Sequence, residues 1–358
     1  MRTRKYNYPE LVLAREDMRA QSELYRPTVF WDEASSRIVY ELESSGIKNF
    51  RSLDTALGFF VPTYGNPGGG FSAEQVQGLR DWLTGAYPQD AKPQLALNQF
   101  LSGQLSALAD YRVLQAADDQ SRLPHLHTFS ESEFGKPVER FEFDGRHFSR
   151  SSLNYLLGLA LLKKHLNGDV PRTVLEIGGG FGTLGEVLSS SGIVDLHYID
   201  IDIPPTSFVA QHYLCEVLGT DHVATYSQTA NRNSIEIETL PQAAVLCSWQ
   251  IEKLHGEVDL FVNFISFQEM EPHIVKNYLD HVTRLGTRWI LLRNIREGKQ
   301  LRKNDWVGVD TPILGDDYLA MLPEYELVER NVIPFGYQTV DGFHSELLLL
   351  KRREVAAQ

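Results

Sequence analysis

The spacing of apolar and polar positions divides the chain into a helical first part and a second part in which strands and helices alternate. Over the first 130 or so residues, apolar side chains recur at helical spacing. The predicted helices cover residues 11–24, 30–42 and 95–114, and a further one begins at the capping box of residues 72–75 and runs to about residue 83. A loop rich in glycine, residues 61–70, connects them.

The second part predicts a parallel sheet. Residues 138–148 predict a hairpin that turns at Asp144-Gly145, and a helix over 151–166 leads into the first strand. The predicted strands are 173–177, 196–202, 243–247, 258–264 and 288–292, and the predicted helices are 206–218, 273–284 and 316–322. Residues 325–334 and 344–351 predict an antiparallel pair with a turn at Asp341-Gly342. We therefore predict an α/β fold, with a mainly helical region 1–145 followed by a sheet domain 146–358.

Two nucleotide-binding patterns overlap in the glycine-rich residues 176–185. In the first, an acidic residue precedes three alternate glycines: Glu176, Gly178, Gly180 and Gly182. In the second, Gly180, Gly182 and Gly185 form the dinucleotide pattern Gly-x-Gly-x-x-Gly, with Asp200 about twenty residues further on as the ribose acid.

The end of the strand favours the first pattern. The apolar strand stops at Ile177, so the first loop glycine is Gly178. A carboxylate just before that glycine suits a cofactor with a cationic amino-acid end and is unfavourable beside a pyrophosphate. We therefore expect S-adenosylmethionine, while a dinucleotide and a glycine turn without a ligand remain alternatives.

Charge and composition exclude several classes of partner. The formal net charge of −13 argues against nucleic acid or an anionic membrane, because both attract basic surfaces. Cys215 and Cys247 form no disulfide or zinc pattern, and no apolar run approaches the roughly 20 residues of a membrane helix. We expect a soluble, cytoplasmic protein.

Several segments together resemble a known family. They are residues 132–137 (SEFGKP), 152–155 (SLNY), 174–182 (VLEIGGGFG), 198–202 (YIDID) and 258–270 (VDLFVNFISFQEM). Over about residues 125–350 the chain resembles the sugar O-methyltransferases of bacterial natural-product and polysaccharide pathways, which are class I S-adenosylmethionine-dependent methyltransferases. The resemblance implies O-methylation of a sugar hydroxyl on a glycosylated natural product or nucleotide sugar. Methylation of a peptide or polyketide hydroxyl or carboxyl, a cofactor-binding subunit without catalysis and a nicotinamide oxidoreductase are the alternatives.

The predicted sheet assigns cofactor roles to its strand ends. Glu176 and the loop glycines are expected at the methionine end, and Asp200 at the ribose, with Asp202 as its alternative on the same face. The remaining expected cofactor contacts are Ser248 and Trp249 at the adenine, Asn263 at the methionine end, and Asn154 and Tyr155 closing over it.

Deprotonation of an acceptor hydroxyl calls for a general base. His273 is our first candidate because histidine titrates near neutral pH, Glu269 is the second, and His344 is a further one. We expect no required metal, since His125 and His127 are not accompanied by a ligand cluster. The N-terminal helices are expected to cap the site or to form a homodimer.

Overall fold

The computed structural model describes residues 5–65, 73–303, 308–339 and 342–354. The helices of the first part are α1 (Pro9–Arg19), α2 (Asp32–Ser45), α3 (Asp54–Phe59), α4 (Ala73–Ala86), α5 (Lys92–Leu101) and α6 (Gln104–Ala117). The first residue of the expected capping box, Ser72, and the second half of the glycine-rich loop, residues 66–70, lie outside the described residues.

The helix predicted over residues 95–114 is wrong in one respect, because α5 and α6 are separate. Gly103 lies between them with φ +78°, and a Cβ added there would come within 2.3 Å of the Cβ of Tyr64. The chain reverses at this glycine, and apolar spacing alone does not reveal such a left-handed residue.

The second part consists of short helices around one large sheet. Its helices are α7 (Arg150–Lys163), α8 (Thr183–Ser189), α9 (Thr206–Leu218), α10 (Tyr226–Thr229), α11 (Pro272–Arg284) and α12 (Gly315–Met321). The first strands are β1 (Phe141–Phe143), β2 (Arg146–Phe148), β3 (Thr173–Ile177), β4 (His197–Asp202), β5 (Val223–Ala224), β6 (Ile235–Glu236) and β7 (Ala243–Cys247). They are followed by β8 (Leu254–His255), β9 (Leu260–Phe264), β10 (Trp289–Ile295), β11 (Tyr325–Asn331), β12 (Tyr337–Gln338) and β13 (His344–Arg352).

The strand order confirms the predicted fold class. The main sheet runs β11-β13-β10-β9-β3-β4-β7-β5, and β12 pairs with β13. The five predicted strands β3, β4, β7, β9 and β10 are mutually parallel, and β13 runs antiparallel to both β10 and β11. This is an α/β fold of the class I methyltransferase type. The hairpin β1–β2 is also confirmed, with its turn at Asp144-Gly145.

The N-terminal helices share the hydrophobic core of the sheet. One cluster of buried side chains joins Leu11 and Phe50 of the first part to Leu349 of the last strand. The other cluster joins Met18 and Tyr25 to residues of β3, β7 and β10. Described segments of the first part therefore pack on both faces of the sheet, and this packing places residues 24–31 above the carboxyl ends of its strands.

Candidate functional site

The glycine loop connects β3 to α8 through three left-handed residues. Gly178, Gly180 and Gly182 have φ values of +71°, +65° and +92°, which side-chain-bearing residues rarely adopt. A Cβ on Gly178 would lie 2.2 Å from Oγ of Ser266, so the loop also lies tightly against the segment after β9. Strand β3 ends at Ile177, as the sequence predicts.

Two buried carboxyl groups lie side by side beneath this loop. Glu176 of β3 is the register partner of Asp200 of β4, and both side chains are fully buried. Tyr198 donates its hydroxyl hydrogen to Oε2 of Glu176 at 2.6 Å, and the Gly179 N–H donates to Oδ1 of Asp200 at 3.3 Å. Among the described residues, Oε1 of Glu176 and Oδ2 of Asp200 have no hydrogen-bond partner.

The surroundings of both acids raise their pKa. Burial raises the pKa of Glu176 to about 7, although the hydrogen bond from Tyr198 lowers it in part. Burial, together with the charges of Glu176 and Asp202, raises the pKa of Asp200 well above its usual value. Buried acceptors without donors commonly mark a position where a ligand supplies the missing hydrogen bonds.

A cleft lies over the loop, and we call it the cofactor cleft. It contains about 1060 Å³ of space including its open mouth. Its walls come from positions within 24–31 and 59–62, from α7, and from the loops that follow β3, β4 and β9.

Asp202 lines the cofactor cleft, whereas Glu176 and Asp200 lie beneath the loop and do not line it. Asp202 ends β4, and its Oδ1 accepts a hydrogen bond of 2.6 Å from the Ile203 N–H. Burial raises the pKa of Asp202 to about 8. Of the two acids that the sequence offers for the ribose, the geometry favours Asp202, because β4 carries its side chain two positions further toward the cleft.

The predicted adenine contacts do not reach the cofactor cleft. Ser248 is buried and donates its hydroxyl hydrogen to the backbone oxygen of Tyr25 at 2.7 Å. Trp249 is buried edge-on against Tyr226. Residues after β7 thus contact the N-terminal segment, and Leu24 and Tyr278 line the cleft instead.

Asn263 braces the turn after β9. Its Nδ2 donates to the Ile177 carbonyl at 2.8 Å and to Oγ of Ser266 at 2.6 Å, while its Oδ1 accepts from the Phe267 N–H at 3.3 Å. These bonds enclose Ile265, a β-branched residue at φ +74° that lines the cleft. Such a backbone conformation is strained and is often found at functional sites.

Helix α7 contributes the side of the cleft next to β9. Tyr155 stacks on Phe264 with ring centroids 4.9 Å apart, and both residues line the cleft. Asn154 also lines it, and its Oδ1 is buried with no donor among the described residues. The structure therefore brings Asn154 and Tyr155 next to the glycine loop, as the sequence analysis expects.

Glu269 also lines the cofactor cleft. Its Oε1 accepts a hydrogen bond of 2.9 Å from Nζ of Lys299, and its Oε2 accepts one of 3.2 Å from Nε1 of Trp31. Thr28 donates its hydroxyl hydrogen to the Glu269 backbone oxygen at 3.0 Å. Aromatic side chains of Trp31, Phe59 and Phe60 form the wall nearby.

The first-choice base of the sequence analysis is not at the site. His273, near the start of α11, is exposed and does not line the cofactor cleft. His344 lies on β13, where its Nδ1 is 2.5 Å from Oε1 of Glu297. The helix after Glu269 turns His273 toward solvent, an orientation that spacing in the sequence does not reveal.

The sequence analysis missed the N-terminal wall of the cleft. Thr28 and Trp31 precede Glu269 by 241 and 238 positions, so their contacts with it leave no local pattern. No cluster of three or more metal-ligating side chains occurs within the ranges that the structure describes. In those ranges, no helix has the length and apolar character needed to cross a membrane.

Comparisons with known proteins give only distant similarities. No protein-family model matches the sequence, and no curated protein matches it. A magnesium protoporphyrin IX methyltransferase from Synechocystis PCC 6803, solved with bound S-adenosylhomocysteine, is 14% identical with a TM-score of 0.38, over 57% of this chain and 85% of that chain. The mitomycin 7-O-methyltransferase is 12% identical with a TM-score of 0.35, over 93% of this chain and 76% of that one.

A third similar structure is the 1,6-didemethyltoxoflavin-N1-methyltransferase of Burkholderia thailandensis, solved with its substrate and S-adenosylhomocysteine. It is 15% identical with a TM-score of 0.39, over 56% of this chain and 79% of that chain. Every one of these TM-scores is below 0.5, so the functional argument rests on the geometry of the cofactor cleft itself.

Proposed function

We propose that the protein is an S-adenosylmethionine-dependent O-methyltransferase that acts on a sugar hydroxyl of a glycosylated natural product or a nucleotide sugar. The observation that supports it best is the pair of unpartnered carboxyl oxygens on Glu176 and Asp200, beside a glycine loop at the carboxyl end of a parallel sheet. An acidic site without a cation of its own suits a cationic ligand.

The residues present fit this cofactor. Asn154 in the cleft wall and Glu176 beneath the glycine loop offer unpartnered acceptors to an ammonium group, and Asp202 offers a carboxylate to ribose hydroxyls. Gly178 and Gly180 keep the backbone free of side chains where the ligand must approach closely. When bound, S-adenosylmethionine supplies a methyl group carried on a cationic sulfur, and the ring of Tyr155 adds an aromatic surface suited to that charge.

Glu269 is our proposed general base, in place of His273. It lines the cleft next to the aromatic wall, whereas His273 points to solvent. A positioned base accelerates such a reaction by about 10²–10⁴-fold. Holding the acceptor hydroxyl in line with the methyl group supplies much of the remaining acceleration.

The sugar acceptor is supported by the family resemblance and by the aromatic wall of Trp31, Phe59 and Phe60, since the apolar face of a sugar ring packs well on aromatic rings. The same wall also favours a second candidate, the hydroxyl of a polyketide or peptide. Cytoplasmic location remains part of the proposal, as does a homodimer, which the exposed apolar side chains of Trp82, Leu95 and Phe100 on α4 and α5 support.

The test is incubation of the protein with methyl-labelled S-adenosylmethionine and a panel of 4-nitrophenyl glycosides, nucleotide sugars and phenolic aglycones. We expect one methyl group on a sugar oxygen, located by fragmentation in the mass spectrometer. Methylation of aglycones alone would select the second candidate. Bound cofactor with no transfer to any hydroxylated compound would refute the proposal, and stabilisation by NAD alone would indicate an oxidoreductase.

A further inference from the structure

Glu269 differs from the other carboxyl groups at this edge of the sheet because it has a cation beside it. Nζ of Lys299 lies 2.9 Å from Oε1 of Glu269, and both side chains are largely shielded from solvent. Within the described ranges, no lysine, arginine or histidine pairs with Glu176, Asp200 or Asp202.

A neighbouring cation affects which of these carboxyl groups can accept a proton. Burial alone keeps a carboxyl group protonated at higher pH, as the pKa of about 7 for Glu176 and of about 8 for Asp202 illustrate. An adjacent ammonium group counteracts that effect by favouring the charged carboxylate. A carboxylate that must take a proton from a hydroxyl has to be ionised beforehand.

The two donors to Glu269 are themselves held in place. Lys299 Nζ lies 4.6 Å from the centroid of the Phe30 ring, so the ammonium is fixed between an aromatic face and the carboxylate. The ring of Trp31 packs against that of Phe59 at 5.5 Å. Each carboxylate oxygen accepts one of these bonds, and a carboxylate offers about four acceptor positions, so capacity remains for an acceptor hydroxyl.

We propose that Lys299 and Trp31 are positioning residues: Lys299 places its positive charge against the carboxylate of Glu269 and Trp31 orients it, so that Glu269 takes the proton of the acceptor hydroxyl. The inference rests on the proposed O-methyltransferase function. The acceptor O–H bond breaks as its oxygen bonds to the methyl carbon. The electron pair of the broken carbon–sulfur bond stays on sulfur, and the proton moves to Glu269 and then to solvent.

The main test is the pH profile of kcat/KM for Lys299→Met, measured between about pH 6 and 9 with the glycoside that the wild-type protein methylates. We expect a loss of roughly 10–100-fold at pH 7 and a shift of the acid limb to higher pH, because the buried carboxylate loses its cation. Activity should recover toward the wild-type level as the pH rises. Lys299→Arg should stay within about threefold of wild type, since it retains the charge.

The matched control is Lys276→Met, which removes another lysine–carboxylate pair. Lys276 pairs with Asp280 on the exposed surface of α11, so its loss should leave the pH profile unchanged. Trp31→Phe removes the Nε1 donor but keeps an aromatic ring, and we expect a loss of about 3–10-fold from one missing hydrogen bond.

Glu269→Gln distinguishes positioning from a separate catalytic role. This substitution should lower kcat/KM about 10²–10⁴-fold. Adding Lys299→Met should lower kcat/KM little further, because both changes disable the same base. All variants should bind S-adenosylhomocysteine with a Kd within about twofold of wild type, because the substituted side chains are proposed to act on the acceptor hydroxyl and not on the cofactor.

The outcomes separate this inference from the proposed function. A wild-type protein that binds S-adenosylhomocysteine but methylates no acceptor refutes the proposed function and, with it, this inference. If the wild type methylates a glycoside and Lys299→Met lowers kcat/KM equally at every pH, or not at all, only the positioning role is overturned. Full additivity of Lys299→Met and Glu269→Gln would overturn it as well.

Discussion

The affinity for S-adenosylhomocysteine should depend on pH through Glu176. Burial raises the pKa of this carboxyl group from 4.5 to about 7 in the ligand-free protein. At about 1.4 kcal/mol per pKa unit, this shift corresponds to a preference of about 3 kcal/mol for the protonated form. An ammonium group at the unpartnered Oε1 reverses that preference, so binding should release a proton below pH 7.

We therefore expect the affinity to rise about tenfold per pH unit between pH 5 and 7 and to level off above pH 8, where Asp202 is also ionised. Isothermal titration calorimetry in two buffers with different ionisation enthalpies measures both the affinity and the number of protons released. Glu176→Gln should bind more weakly and lose most of the slope below pH 7.

The same titration predicts how the stability of the ligand-free protein changes with pH. Between pH 4.5 and about 7, folded Glu176 retains a proton that the unfolded chain has lost. The free energy of unfolding should therefore fall as the pH rises through this window, and S-adenosylhomocysteine should offset the fall. Affinity that is independent of pH in the wild type, or an equal slope in Glu176→Gln, would refute this account of the site.

Three further comparisons of variants test the geometry of the cleft. Gly178→Ala places a Cβ 2.2 Å from the hydroxyl oxygen of Ser266 and should weaken S-adenosylhomocysteine binding at least about tenfold. Its control, Gly145→Ala, has a similar positive φ but open space around the added Cβ, so it should lower the free energy of unfolding by only about 1–2 kcal/mol. Asp202→Asn should weaken binding about tenfold and Asp200→Asn less than about threefold, as measured by calorimetry; the reverse order would assign the ribose to Asp200. His273→Gln should leave kcat unchanged between pH 6 and 8, and a loss of more than about tenfold would restore it as the base.

Local patterns were sufficient for most of the second part of the fold. The spans of α9 and β7 agree with the predicted 206–218 and 243–247. Pro205 and Gly219 mark the two ends of α9, and β7 is a short, uninterrupted apolar segment. The first part was less predictable. The left-handed Gly103 splits one predicted helix, since a position inside an apolar helical pattern does not show that the chain must pack against Tyr64 there.

The sequence alone predicted the parallel sheet and the start of the glycine loop at Gly178, and it favoured S-adenosylmethionine over a dinucleotide, because these inferences depend on neighbouring residues along the chain. Only the tertiary structure decided which side chains face the cofactor cleft. It brought Asp202 rather than Asp200 to the cleft wall, left His273 outside that wall, and joined Glu269 to Trp31, 238 positions earlier, and to Lys299, 30 positions later. Such contacts arise when distant segments pack together, so no spacing within the sequence encodes them.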